Sequence, residues 1–185
     1  HSTTGIYLSR VIGILRPVIS SRSNRMFGNA LPKEQVENNG IGPFLEIGRD
    51  GRQPGLLYPT KTFTDQIEFE AASHKVQLFH APGETNDQLF VWLPEKKVLF
   101  PGDNFYKTFP NLYTIRGTPY RDLVGWVNSI DLMRYLEPEY LVPSHTRPIV
   151  GKENINTLLT TYRDAIQFVH DQTVRLMNLG LDPNE

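Results

Sequence analysis

The chain has 185 residues, 39% of them hydrophobic and 21% charged, which suits one domain with a buried core and excludes a disordered or fibrous protein. The 19 basic and 20 acidic side chains are interspersed along the chain, so nucleic-acid binding is not expected. The absence of cysteine excludes disulfides and thiolate ligands, so any metal must be held by His, Asp or Glu.

No stretch of the sequence predicts a membrane span, because the longest apolar clusters, near residues 6–15 and 123–136, are interrupted well before ~20 residues. The compartment is left open by the composition. The chain starts at His1 without an initiator methionine or a signal peptide, so we expect a cut end with any signal peptide upstream of it.

The first third of the chain predicts one helix and a long loop. Apolar residues between Thr3 and Arg16 cover most of a helix circumference, and Pro17 is expected to end that helix. Residues 20–62 are rich in Ser, Asn, Gly and Pro, which predicts a loop. Loops of that length usually have a function or cover a site.

The middle of the chain predicts two successive hairpins. Residues 67–72 and 76–80 alternate as strands around a short turn, and residues 89–93 and 97–100 form a second pair around Pro94.

The last third predicts two helices and one strand. Asp122 can cap a helix whose apolar positions face a sheet, and residues 140–142 read as a short strand that ends, as the last strand, at Pro143. Residues 152–179 have the periodicity of a long helix.

Two carboxylates lie at the ends of predicted strands. In residues 81–104, APGETNDQLFVWLPEKKVLFPGDN, a Pro-Gly turn presents Glu84 and a Gly-Asp turn presents Asp103. Asp103 lies 19 positions after Glu84, and one hairpin fills that interval, so the chain returns to the edge of the sheet from which it left. The hairpin therefore brings two hard oxygen ligands together.

A histidine follows a later strand, in the sequence Val142-Pro143-Ser144-His145. Two carboxylates and an imidazole suit zinc or a similar divalent ion, so the three side chains could converge on a metal. Taken singly, Glu84 and Asp103 are also typical of solvated turn residues, and a lone strand-end histidine usually binds no metal.

These motifs resemble those of a known family. The pattern PG-x-T-x-D-x, followed after a hairpin by GD, is similar to the metallo-β-lactamase fold signature, in which histidine normally follows Pro-Gly. Glu84 at that position resembles the alkyl sulfatases of the superfamily, and the segment NLYTIRG-x-x-x-RD, residues 111–122, is similar to their sulfatase segment. The segment SRSNRMFGNALP, residues 21–32, agrees with the same family.

The resemblance implies an α+β fold, part of a four-layer αββα arrangement with an antiparallel or mixed sheet and flanking helices. Residues 1–185 would be part of one catalytic domain that lacks its amino-terminal half, because the family's His-x-His-x-Asp-His loop is not in this sequence. These enzymes continue beyond this region into a helical dimerisation domain, so a homodimer through regions absent here is expected.

The resemblance also implies the roles of the metal ligands. Glu84 would complete the shell of a first metal, Asp103 would bridge two metals, and His145 would bind the second. The cofactor would be two zinc ions, and a metal-bound water would be the nucleophile, so that no protein nucleophile is needed.

A sulfate ester would be bound by the sulfatase segment. Arg116 offers a planar fork of donors for the anionic head, and the neutral donors are Asn111, Tyr113 and Asn104. Arg116 could instead be a surface residue, and the three neutral donors could simply pack the loop or the turn. Tyr120 and Arg121 could reach the leaving-group oxygen, although a role behind the residues that contact the substrate or metal, or at the surface, is favoured. Arg121 could also simply begin the helix, and the general acid is not assigned.

The implied function is metal-dependent hydrolysis of an alkyl sulfate ester with an apolar tail, giving an alcohol and sulfate in the full-length protein. Where these sulfatases often have glutamate, this chain has Asp103, as the wider superfamily does. Hydrolysis of a β-lactam, thioester, lactone or phosphoester therefore stays open, since a fold does not determine a reaction. A third hypothesis is that the chain alone is an inactive fragment or a binding module.

Overall fold

The computed structural model describes residues 16–26, 28, 31–35, 59–113 and 120–184. The chain divides into two units, of which one comprises residues 1–63 and 114–119 and the other residues 64–113 and 120–185. The candidate metal ligands named above all belong to the second unit.

The first unit contains helix α1, Arg16–Met26, and a short 3-10 turn, Lys33–Gln35. We predicted that a loop begins at residue 20, and that prediction is wrong for residues 20–26, which are helical. The end of the predicted preceding helix at Pro17 stays a prediction. Pro17 lies in the first turn of α1, where its missing N–H costs no helical hydrogen bond. Residues 3–15 of the predicted helix lie outside the described residues.

The second unit is built on one six-stranded mixed sheet in which the strands follow one another in chain order. All neighbouring strands are antiparallel except β4 and β5, which are parallel. The two predicted hairpins are confirmed as β1 with β2 and β3 with β4. The six strands are Gln66–Ala71, His74–His80, Leu89–Leu93, Val98–Phe100, Tyr140–Leu141 and Ile149–Val150.

Strand β6 was missed by the sequence reasoning. We predicted that the last strand ends at Pro143, but Ile149–Val150 pairs with Tyr140–Leu141 and extends the sheet by one strand. A strand of two residues is too short to produce a period-2 pattern, so only its pairing reveals it.

Both helices of the second unit are confirmed. Helix α2, Leu123–Tyr135, begins at Asp122, whose side chain accepts a hydrogen bond of 3.0 Å from the backbone N–H of Gly125. Helix α3, Lys152–Asn178, packs against α2 and contacts β5 and β6. None of the helices in the described part has the length and apolar character that a membrane crossing requires.

The core lies between the sheet and these two helices. In β3 the side chains alternate, so Phe90 and Trp92 are buried while the residues on either side of each are partly exposed. They pack with side chains of β4, β5, β6 and both helices, among them Leu99, Leu141, Ile149, Trp126, Ile130, Ile155, Leu159 and Ile166. A mixed sheet with flanking helices confirms the predicted α+β class.

The core packing of α2 predicts the effect of one substitution. Ile130 is fully buried between the sheet and α3, so Ile130→Ala is expected to lower the free energy of unfolding by about 2–5 kcal/mol, through lost burial and a residual cavity. Urea denaturation measures it. Val124, on the same helix, is 50% exposed, and Val124→Ala is the matched control with a loss of about 0.5 kcal/mol or less. Equal losses for the two variants would contradict the described packing.

Candidate functional site

Glu84 lies in the turn after β2, next to Gly83, whose backbone closely approaches the side chain of Asn104. A Cβ atom built on Gly83 would lie 2.1 Å from Oδ1 of Asn104, so only glycine allows this approach. The backbone N–H of Glu84 donates to the same Oδ1 at 3.2 Å. The hydroxyl of Ser129, on α2, donates to the carbonyl of Pro82 at 2.7 Å and ties the turn to the helix.

The turn after β4 carries Asp103 and Asn104. It forms a 3-10 turn, Gly102–Asn104, and Gly102 has a φ of 61°, in the left-handed region that glycine adopts without strain. Asn104 is fully buried. Its side-chain Nδ2 donates to the backbone carbonyl of Ala81 at 2.6 Å, and its backbone carbonyl accepts from Nε1 of Trp126 at 2.9 Å. The predicted meeting of the two turns is therefore made through the Asn104 side chain.

Asp103 and His145 lie side by side. Nε2 of His145 is 3.4 Å from Oδ1 of Asp103, and the histidine ring meets the ring of Tyr106 edge-on with 6.3 Å between centroids. His145 follows β5, and the next residue, Thr146, has a φ of 70°, so the chain reverses directly after the histidine. The hairpin and the parallel strand β5 thus bring together two side chains that are 42 positions apart in the sequence.

Glu84 is held by a buried arginine. Nη2 of Arg121 donates to Oε1 of Glu84 at 2.5 Å, and the two side chains are only 4% and 22% exposed. The other guanidinium nitrogen, Nη1, donates to the backbone carbonyl of Asn111. Sequence reasoning favoured for Arg121 either a role behind the site's ligands or a place at the surface, and its 4% exposure excludes the surface alternative.

The pKa of Tyr106 is shifted by burial and by nearby charged groups. Burial raises the pKa of Tyr106, while its hydrogen bond from the backbone N–H of Asn111 acts in the opposite direction. The carboxylates of Glu84 and Asp103 raise the pKa further. Tyr106 therefore lies within electrostatic reach of both turns, although no sequence motif singled it out.

The predicted metal ligands were tested against this geometry. Oδ1 of Asp103 is buried, has no hydrogen-bond partner among the described residues and faces an imidazole nitrogen, which fits a divalent cation that takes both atoms as ligands. Glu84 is engaged by Arg121, and in the described part of the chain no three His, Asp or Glu side chains are grouped closely enough to hold a metal. The residues fit as a partial donor set, and their ligand roles stay predictions.

The predicted substrate residues are placed differently from one another. Arg116 lies outside the described residues. Oδ1 of Asn111 accepts from the backbone N–H of Tyr113 at 3.2 Å, and the Tyr113 ring is 56% exposed. Tyr120 is 78% exposed. The Asn104 side-chain amide forms its hydrogen bonds with backbone groups, so its contacts support a structural role. Its role in substrate binding stays a prediction.

The sequence marked the position of Arg121 but not its burial. It lies next to Asp122 in the RD pair of the sulfatase segment, and Asp122 caps α2. A basic residue directly before a helix cap is ordinarily solvated, because arginine is almost never buried unless it is paired. The partner that buries it, Glu84, is 37 positions away, and local sequence reasoning could not find it.

Comparison with known proteins bears on the whole arrangement. The profile of the metallo-beta-lactamase superfamily matches residues 17–145, more than half of the chain. The chain belongs to the metallo-β-lactamase superfamily. The sequence resemblance to that superfamily is confirmed.

Two relatives within the superfamily are sulfatases. The chain is 39% identical over 175 residues to a linear primary-alkylsulfatase of Pseudomonas sp. (strain ATCC 19151), covering 93% of this chain and 32% of the relative. It is 32% identical over 130 residues to an alkyl/aryl-sulfatase of Saccharomyces cerevisiae, covering 68% and 20%. The chain thus spans about a third or less of these relatives.

A solved structure of the superfamily has the same fold. The stereoselective inverting sec-alkylsulfatase Pisa1 from Pseudomonas sp. superposes with a TM-score of 0.84 at 22% identity, covering 95% of this chain and 28% of that chain. The predicted metallo-β-lactamase fold is confirmed, and so is the predicted likeness to alkyl sulfatases.

The contribution of the buried Asn104 side chain to stability can be measured by substitution. Asn104→Ala leaves the carbonyl of Ala81 and the N–H of Glu84 without their partner, and a loss of about 1–3 kcal/mol in the free energy of unfolding is expected for such groups. Urea denaturation measures it. Asn156→Ala, which removes an exposed side-chain hydrogen bond to Arg134, is the control with a loss of about 0.5 kcal/mol or less. If Asn104→Ala costs no more than this control, the two turns are not held by Asn104.

Proposed function

We propose that the chain forms part of a metal-dependent hydrolase that cleaves alkyl sulfate esters to an alcohol and sulfate in the full-length protein. The observation that carries the proposal is the buried Oδ1 of Asp103, which faces Nε2 of His145 and has no hydrogen-bond partner among the described residues. It lies in the turn that Asn104 joins to the turn with glutamate after Pro-Gly. Support comes from the linear primary-alkylsulfatase that is 39% identical to this chain.

In the proposed enzyme Asp103, His145 and Glu84 would hold divalent metal, and two zinc ions are the proposed cofactor. Carboxylate oxygen and imidazole nitrogen are ligands that zinc accepts. When bound, zinc supplies a Lewis acid that makes a hydroxide nucleophile available near neutral pH. The ligand residues supply negative charge and a neutral nitrogen, and they orient rather than react.

The substrate's anionic head needs positive charge and hydrogen-bond donors near these carboxylates. Arg121 neutralises Glu84 through a direct ion pair, which lowers the repulsion that an approaching sulfate would meet. Arg116, Asn111 and Tyr113 are the proposed sulfate-binding residues. The exposed ring of Tyr113 provides apolar surface for a substrate tail, and a small sulfate ester with an apolar tail is the proposed substrate.

Tyr120 remains a candidate for contact with the leaving-group oxygen, and the general acid is unassigned. We also propose that residues 1–185 are part of one catalytic domain. A homodimer through regions absent from this chain is a further part of the proposal. The compartment is left open.

A second candidate function is hydrolysis of another ester, amide or thioester on the same fold. It is favoured by Asp103, because aspartate at this turn is typical of the wider superfamily rather than of the sulfatases. A panel of substrates given to the full-length protein separates the two functions.

The proposed ligands predict a large loss of activity on substitution. In the full-length protein, Asp103→Asn and His145→Ala are each expected to lower the rate of sulfate release from dodecyl sulfate by about 100-fold or more. The reason is that each variant changes one of the two groups that are proposed to bind the metal. Released sulfate is measured by ion chromatography, and bound zinc by elemental analysis.

His170→Ala is the matched control for the histidine substitution. His170 is on the exposed side of α3, next to Asp171, so neither the rate nor the zinc content is expected to change. Full activity of Asp103→Asn with unaltered zinc content would refute the proposed ligand role. Activity on a lactone or thioester with none on dodecyl sulfate would favour the second function.

Metal removal provides an independent check of the cofactor. Dialysis of the full-length protein against a chelator is expected to abolish sulfate release, and zinc is expected to restore it, because no protein nucleophile is proposed. The recovered rate is compared after adding zinc, manganese or magnesium. Sulfate release that persists in metal-free protein would contradict a metal-dependent reaction.

A further inference from the structure

Arg121 joins three parts of the second unit. Its guanidinium donates through Nη2 to the Glu84 carboxylate, in the turn after β2, and through Nη1 to the carbonyl of Asn111, at the start of the proposed sulfate-binding segment. The same group lies over the indole of Trp126, with its Cζ atom 5.7 Å from the ring centroid, a cation–π contact.

The position of Arg121 is determined by a rigid element. The next residue, Asp122, caps α2, and Trp126, one turn into that helix, is fully buried and donates to the carbonyl of Asn104. The arginine therefore projects from the fixed beginning of a helix towards two loops. Groups supported by helices are placed more accurately than groups supported by loops alone.

The burial of this guanidinium requires both of its contacts. The side chain is 4% exposed, and desolvating a cation costs several kcal/mol unless a carboxylate and further hydrogen bonds compensate for it. Its Nε has no hydrogen-bond partner in the described part of the chain, so the two Nη contacts carry that compensation. A planar fork can satisfy two separate acceptors, whereas the ammonium of lysine is a compact point charge.

We infer that Arg121 is a positioning residue, which holds the carboxylate of Glu84 and the backbone carbonyl of Asn111 at fixed places relative to each other. It acts through Glu84 on metal binding and through Asn111 on substrate binding. The inference rests on the proposed function, because Glu84 is a proposed ligand and Asn111 and Tyr113 are proposed sulfate-binding residues.

The test compares Arg121→Met, Arg121→Lys, Glu84→Gln and the Arg121→Met/Glu84→Gln double variant in the full-length protein. Zinc affinity is measured by competition with a chelator, and kcat and KM on dodecyl sulfate are measured at saturating zinc. Arg134→Met is the matched control, because Arg134 is an ion-paired arginine on α2, the helix that Arg121 precedes. Arg134 contacts Asp131 and Asn156 rather than either turn.

Arg121→Met is expected to weaken zinc binding by about 10–100-fold, as is usual when a residue that orients a metal ligand is removed. Arg121→Lys should recover part of this loss, since it keeps a charge near Glu84. At saturating zinc, KM should rise more than kcat falls, because the Asn111 carbonyl is released. A residue needed only for folding would lower thermal stability without this pattern.

The double variant keeps the inference testable even if Arg121→Met folds poorly, because Glu84→Gln removes the carboxylate that would lose its arginine partner. If Arg121 acts through Glu84, the double variant binds zinc as weakly as Glu84→Gln alone. Independent losses that multiply, or an Arg121→Met variant with unaltered zinc affinity, would overturn the inference alone. Unaltered zinc affinity in Glu84→Gln would instead overturn the ligand role of Glu84 in the proposed function, and this inference with it.

Discussion

The buried amide of Asn104 is the contact on which the candidate site depends. It bonds the backbone on both sides of Gly83, at Ala81 and at Glu84, while its own backbone carbonyl bonds Trp126 on α2. A fully buried amide with paired donor and acceptor permits one arrangement, because an unpaired polar group at that depth is costly. Two turns from different hairpin strands and one helix are thereby brought to a single place, and Asp103 is held next to this amide.

Charge compensation is the second constraint on the site. Two carboxylates in turns that the Asn104 side chain joins repel each other and would repel an anionic substrate, unless positive charge is placed among them. Arg121 supplies it to Glu84 from the protein, whereas Asp103 has His145 at 3.4 Å and a buried oxygen without a hydrogen-bond partner in the described residues. The two carboxylates thus differ in environment: one is already satisfied by an arginine, and the other still presents an acceptor.

Most of the regular structure of the second unit was predictable from sequence. Both hairpins follow from alternation around turn residues, and α2 and α3 follow from apolar periodicity with Asp122 as a cap. The failures have local causes. Residues 20–26 of α1 are mostly polar and were predicted as loop, and β6 has only two residues, so neither leaves a periodic signal. The strand-end positions of Glu84, Asp103 and His145 were predicted, but the pairing of Glu84 with Arg121 was not.

The sequence by itself determined the family, the α+β class and the strand-end positions of Glu84, Asp103 and His145, because those properties depend on residue types and spacings along the chain. Only the tertiary structure decided that Arg121 is buried against Glu84, that Asn104 bonds backbone and that Tyr106 lies within electrostatic reach of both turns. These contacts join residues 20 to 37 positions apart, or lie where a loop and a helix meet. Burial and pairing of a polar side chain depend on the packing of several elements at once, and no local pattern records that packing.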